Sequence, residues 1–307
     1  MNKLTYLSPL WFSIIKSLLI TLLLVASHRN AARAQTQFTG WLSTFQNYKL
    51  SNRTGLYFDG QFRTTGQLQQ MQALLLRPGL NLYLTPALSA TVGYAYIPQQ
   101  RISGGVTGYL PEHRTWQQLL FTHPIFSGQG QGHPAAHRPA DSVYHPAASA
   151  HHLPAATLTH RLRLEQRFLP KHHAEGNALV QNGHRYAGRI RYFARTVLPL
   201  TSHRSGGAST NPLHNGTSPS SMTQSSASAP FTKGFFAAIQ NEIFFNIGDT
   251  APVNGKLFDQ NRAYLAAGYR WSRQFDTEIG YMNQYISGTG SNSTNNHIFQ
   301  VATYLRL

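Results

Sequence analysis

Apolar and polar residues alternate with a period of two along most of this chain. The clearest case is 158–168, L-T-H-R-L-R-L-E-Q-R-F, where Leu158, Leu162, Leu164 and Phe168 share one face. Thr159, Arg161, Arg163, Glu165 and Arg167 occupy the other. Side chains of a strand point alternately to opposite sides, so this spacing predicts a β-strand with one apolar and one charged face. The same alternation predicts strands over 39–49, 54–63, 73–84, 88–96, 112–121, 185–198, 235–245, 258–270, 275–285 and 298–307. It is weakest over 39–49. Pro78 lacks the N–H a ladder needs and predicts a bulge or an edge in its strand, and the glycine-rich stretch 102–110 reads as a loop.

Strands of this kind fit a two-sheet sandwich or a membrane barrel, which differ in where polarity sits. A sandwich hides its apolar faces, whereas a barrel in lipid turns them outward and keeps polar residues within. The strand charges are nearly all Arg accompanied by carboxylates, rather than Lys, which favours a packed ionic interior with forked pairing. Tyr, Phe and Trp near the strand ends suit the aromatic girdles of a lipid interface. The expected fold is all-β, an antiparallel transmembrane β-barrel of about 10 to 12 strands. Single-chain bacterial barrels use an even number of strands, so the eleven predicted strands imply one missed or one wrong, and 39–49 is the weakest. The final strand alternates up to Leu307 and is similar to the signal read by the barrel-assembly machinery, where Phe or Trp is the usual last residue.

Composition narrows the setting. Hydrophobic residues are 41% of the 307, charged ones 12% and aromatics 12%, the reverse of a disordered chain. There is no cysteine, which excludes disulfides, thiolate nucleophiles and Cys-based zinc sites. Lys3 and Lys16 precede an apolar core at 17–26, and Ala32-Arg33-Ala34 presents small residues where a signal peptidase reads. The apolar run is shorter than a spanning helix needs. We expect residues 1–34 to be a cleaved signal peptide and 35–307 to be one exported barrel domain in a Gram-negative outer membrane. Cleavage removes Lys3, Lys16, Arg29 and Arg33, so 26 cations against 10 carboxylates become 22 against 10, a net of +12. Insertions at 122–156, rich in Gly, Pro, Ala and His, and at 200–229, rich in Ser, Thr, Gly and Asn, break the rhythm. The histidines of the first, including His133 and His137, are irregularly spaced and predict a solvated linker rather than a metal site.

Several strings, in order along the chain, carry a resemblance. They are Leu76-Arg77-Pro78-Gly79-Leu80, Gly93-Tyr94-Ala95-Tyr96, Glu112-His113-Arg114 with Trp116-Gln117-Gln118, and 160–168. Asn241-Glu242, Asp259-Gln260-Asn261-Arg262, and Gly280-Tyr281 with Asn283-Gln284 follow. Together they resemble the bacterial family of predicted outer-membrane proteins called domain of unknown function 2490. The resemblance implies an exported β-barrel and supplies no catalytic residues, and the two insertions look foreign to it.

Parity then defines the candidate lumen. Asp59, Arg63, Arg77, Glu112, Arg114, Arg161, Arg163, Glu165, Arg167, Arg189, Arg191, Glu242, Arg262 and Glu278 fall on the polar faces, with Arg185, Arg195 and Asp276 in phase. Eleven arginines against six carboxylates leave an interior of about +5. Such a lining supports either a structural plug of ion pairs or a narrow anion-preferring passive channel. No catalytic constellation, metal set or cofactor is expected, and the protein reads as not an enzyme. Two other readings stay open: an outer-membrane hydrolase or acyltransferase using His113 or His160, and a secreted soluble β-sandwich that binds lipid or carbohydrate. Export and the dispersal of Arg argue against nucleic acid. The expected partners are outer-membrane lipid, lipopolysaccharide and the barrel-assembly machinery.

Overall fold

In the computed structural model the described residues are 34–125, 156–201 and 231–307. They form eleven strands: β1 (Ala34–Lys49), β2 (Thr54–Thr65), β3 (Gln70–Tyr83), β4 (Leu88–Ser103), β5 (Val106–Ile125), β6 (Ala156–Glu175), β7 (Ala178–Pro199), β8 (Gly234–Ile247), β9 (Phe258–Arg270), β10 (Phe275–Ser287) and β11 (Ser293–Arg306). The predicted signal segment lies outside the described residues up to its last residue, Ala34. So do the histidines at 133–152 and nearly all of the second insertion.

Each strand pairs antiparallel with the next, and the sheet closes between β1 and β11. A closed barrel rules out the two-sheet sandwich. All eleven predicted strands are present, so the expectation of an even number fails. An odd number of alternating strands returns to its start running the same way, and β1 and β11 therefore meet in parallel. Leu307 N–H donates to the Asn47 carbonyl at 2.8 Å, and Lys49 N–H donates to the Leu307 carbonyl. These slanted bonds to residues two apart are the pattern of a parallel ladder.

Polarity is inverted relative to a soluble protein. Leu56, Phe62, Leu80, Val92, Leu119, Leu162, Ile239, Leu265, Ile279 and Phe299 face outward and are exposed. Asp59, Arg77, Glu112, Arg163, Glu165, Glu242 and Glu278 are buried inside. The interior also takes large apolar side chains that share the inward phase of the charges. Trp41, Phe236, Tyr264, Met282 and Ile298 cluster on one wall, and Tyr57, Leu75, Ile97 and Trp116 on another. Trp41 and Phe45 point inward while Leu42 points out, which is why β1 shows so little contrast in the sequence. Trp116 lies flat over β3 and β4 because Gly79 and Gly93 present no Cβ; at Gly93 an added Cβ would overlap the indole.

Two local expectations are corrected. The stretch 102–110 is not a loop: β4 and β5 run through it and reverse at Gly104-Gly105, whose φ values are 53° and 80°. Two consecutive left-handed residues make the two-residue hairpin turn that matches strand twist, and glycine adopts it without steric cost. Pro78 makes no bulge. Register is the same on either side of it, Leu76 opposite Tyr96 and Gly79 opposite Gly93, and its ring sits on the exposed outer wall. The β2–β3 irregularity falls instead at Arg63/Thr64.

Candidate functional site

The interior is built outward from β6, which sends Arg161, Arg163, Glu165 and Arg167 to one side because they are two residues apart. β5 places Glu112, Arg114, Trp116 and Gln118 beside them, and β7 places Arg189, Arg191 and Arg195. Glu165 lies opposite Trp116 on one side and Arg189 on the other. Its oxygens accept from Arg189 Nη2 at 2.6 Å, Arg114 Nη1 at 3.3 Å and Arg191 Nη1 at 2.5 Å. Arg191 reaches on to Glu242 through Nη2 at 2.7 Å, where Arg161 also donates at 2.7 Å and Arg262 stands at 3.7 Å. In the other direction Arg114 and Arg167 each donate to Glu112 Oε1 at 2.7 Å. Arg189 Nη1 donates to Asp259 at 2.9 Å.

These contacts form one continuous belt from β5 to β9. Guanidinium suits it because its planar fork can serve two carboxylates at once, as Arg189 and Arg191 do. Separate pairs complete the lining. Arg77 meets Asp59 at 2.8 Å on β3 and β2, Arg195 meets Glu278, and Arg270 and Arg306 share Asp276. Seven of the ten carboxylates of the whole chain are thus held by arginine inside the barrel.

Two candidates have no carboxylate partner among the described residues. Arg63 donates to Gln61 and stacks over Trp41 at 3.7 Å from the ring centroid. Arg163 donates to Gln118 through Nε at 3.0 Å and Nη2 at 2.6 Å and stacks over Trp116 at 4.4 Å. A guanidinium over an indole face gains from the ring's quadrupole. Trp41 also carries Arg262 at 5.0 Å, and Phe244 carries Arg189, Arg191 and Arg262 at 5.1, 4.6 and 4.6 Å.

All fourteen candidate positions thus lie inside, in this belt, its side pairs or its stacks. Arg185 does not: it is exposed near the far end of β7, where the long β6–β7 hairpin continues past the closed barrel. Arg195 and Asp276 lie inside as their phase predicts, and four further interior charges were not among the candidates. Arg101 approaches Glu112 at 3.8 Å, on a part of β4 that the predicted strand ending at Tyr96 omitted. Asp259 is turned inward by the register shift between Phe244 and Phe245, since a bulge adds a residue and breaks parity. Arg270 and Arg306 sit at strand ends, where periodicity gives no strong phase. His113 and His160 lie on the outer wall, their Nδ1 atoms hydrogen-bonded to the hydroxyls of Tyr94 and Tyr192. Among the described residues, no three His, Cys, Asp or Glu side chains are grouped to hold a metal.

The belt divides the lumen. A cavity of about 400 Å³ opens towards the turn at Gly288 and Thr289. One of about 1150 Å³ opens towards Arg53, Pro86 and Leu307 at the other end. Both are walled by Trp41, Arg77, Arg191 and Arg262, the layer that separates them. The lining of the wider cavity includes Lys49, Arg53, Arg77, Arg161, Arg191, Arg195, Arg262, Arg270 and Arg306 against the carboxylates Asp59 and Glu242. Asp276 and Glu278 stay behind their arginines, so the surface offered to a solute is cationic.

Neither a curated protein nor a solved structure matches the chain. A family model does match, over residues 38–129 and 220–295, which takes in β1 to β5 and β8 to β10 and leaves out β6 and β7. With more than half of its length matched, this chain belongs to the family described as Protein of unknown function (DUF2490).

Proposed function

We propose that this chain is an exported barrel spanning a Gram-negative outer membrane, with a lumen that forms a low-conductance, anion-preferring passage. The observation that carries the first part is the inverted polarity: an outer wall rich in exposed Leu, Val, Ile, Phe and Tyr around an ion-paired interior. In hydrocarbon every backbone group must be satisfied within the protein, and a closed sheet does this without an edge. The strands, 12 to 22 residues long, exceed the ~9–11 needed to cross. Phe235, Tyr269 and Trp271 pack together on the outside near one end, with centroids 4.8 and 4.6 Å apart, as suits an interfacial aromatic girdle. Lipid and lipopolysaccharide would cover this wall, and β11 would be the strand offered to the barrel-assembly machinery.

The excess of guanidinium along the cavities gives the passage its sign, since cationic constrictions favour anions. We assign no catalytic role. A second reading, a purely structural barrel, is favoured by one observation: the belt is buried and ties neighbouring strands together through mutually neutralised charges.

Two measurements test the assignment in sequence. The folded protein in detergent should migrate differently before and after boiling, and recovery from the soluble periplasm without detergent would end the membrane reading. In planar bilayers under a salt gradient the reversal potential should show anion preference. Conductance no greater than the bare bilayer would leave the structural barrel.

A further inference from the structure

We propose that the wider cavity binds an acidic oligosaccharide, a short chain of uronate-type sugars, at the end of the barrel bearing Lys49, Arg53 and Leu307. The proposal rests on reading the lumen as anion-attracting and adds the substrate class. Size comes first: about 1150 Å³ is slightly more than the ~300–1,000 Å³ of ordinary small-molecule sites, and far more than an inorganic anion fills.

The lining then specifies the chemistry. Its cations sit at two depths. Lys49 and Arg53 stand exposed at the mouth without a carboxylate partner among the described residues, while Arg77 and Arg161 lie deeper. Each of the deeper two keeps a buried Nε–H with no partner, so its carboxylate leaves the guanidinium incompletely satisfied. Cations at two depths suit a ligand with repeated acid groups.

Between them lie groups that match hydroxyls and ring faces. Asn81 donates to Asn47 at 3.0 Å, Thr91 donates to Asn81 at 2.6 Å, and Gln118 donates to Thr91 at 3.2 Å. This polar strip crosses the cavity wall from β1 to β5. Phe45 and Tyr304, both on the cavity lining, stack at 5.0 Å while Arg195 stands over the Tyr304 ring at 5.2 Å, and the second face of Phe45 is an electron-rich surface of the kind that meets the C–H face of a pyranose. An acyl chain would find its path interrupted by amides and guanidiniums.

The test uses the full barrel folded in detergent and titrated by calorimetry with three probes: a trigalacturonate, a neutral maltotriose and inorganic phosphate. The trisaccharide acid should bind, the neutral sugar at least tenfold more weakly, and phosphate weakly or not at all. The double variant Lys49→Ala/Arg53→Ala, at exposed positions, should keep its heat-dependent gel mobility and lose at least tenfold in affinity for the acid. Equal binding of acid and neutral sugars, tight binding of phosphate alone, or an unaffected double variant would each overturn the proposal. If no probe binds but anion-selective conductance persists, the saccharide site falls and the anion-preferring passage stands. If that selectivity is also missing from a heat-modifiable barrel, both fall.

Discussion

Glu165 shows what a single residue has to do in this interior. It takes hydrogen bonds from Arg114, Arg189 and Arg191 while 1% exposed, so its removal would leave three guanidiniums facing one another in a nearly dry space. Losing one partner of a buried ion pair costs about 3–5 kcal/mol. Glu165→Gln should therefore lower the unfolding free energy of the detergent-folded barrel, read from its denaturant titration, by that amount. Glu175→Gln, whose pair with His173 is exposed, should change it by less than ~1 kcal/mol. Equal midpoints for the two variants would show that the belt contributes nothing to stability. The positions of these charges were legible in the sequence, because a period of two assigns Arg161, Arg163, Glu165 and Arg167 to one face. Their partners were not: parity says which way a side chain points, and register says what it meets. Asp259 escaped even parity, since it is itself the extra residue at the β9 bulge that shifts the phase.

Neighbouring strands solve a second problem on the outer wall. Polar amides there pair with each other, Asn241 with Asn261 reciprocally at 3.2 and 3.1 Å, Gln117 with Gln166, and Asn283 with Asn295. Against lipid an amide left alone has no water to turn to. Asn241→Leu should cost about 1–3 kcal/mol by orphaning Asn261, and the double variant Asn241→Leu/Asn261→Leu should recover most of it in a thermodynamic cycle. Additive losses would mean the outer face is wet. The hairpin at Gly104-Gly105 offers a check on backbone alone. Gly105 has φ of 80° and open space around its missing Cβ. Gly105→Ala should still cost about 1–2 kcal/mol through conformation, read as an earlier thermal transition. A glycine-rich stretch looks the same in sequence whether it is a loop or two long strands meeting in a tight turn, so the extent of β4 and β5 had to come from the fold.

At the scale of the whole molecule, the number of strands decides how the sheet closes. The sequence showed each of the eleven strands but not the seam, because nothing in β1 or β11 alone distinguishes a parallel neighbour from an antiparallel one. The chain lacks cysteine, so the pair Tyr48→Cys/Leu307→Cys, placed across the seam by the bonds of Leu307 to Asn47 and Lys49, would be its only thiols. Mild oxidation of the folded barrel should crosslink them within one chain, since paired strands bring Cα atoms within bonding range. Failure to crosslink in a barrel that is otherwise folded would point to a strand lying between β1 and β11. Trp41→Ala removes the ring on which Arg63 and Arg262 stack, at the layer dividing the two cavities. It should raise single-channel conductance several-fold while keeping the anion preference. The parallel seam has one more effect. β1 begins at the mouth where β11 begins, and both run to the other mouth, so Gln35 and Leu307 stand at opposite openings of the barrel. Epitopes fused at those two points would report opposite faces of the membrane in intact cells, and antibody access to one should always exclude access to the other.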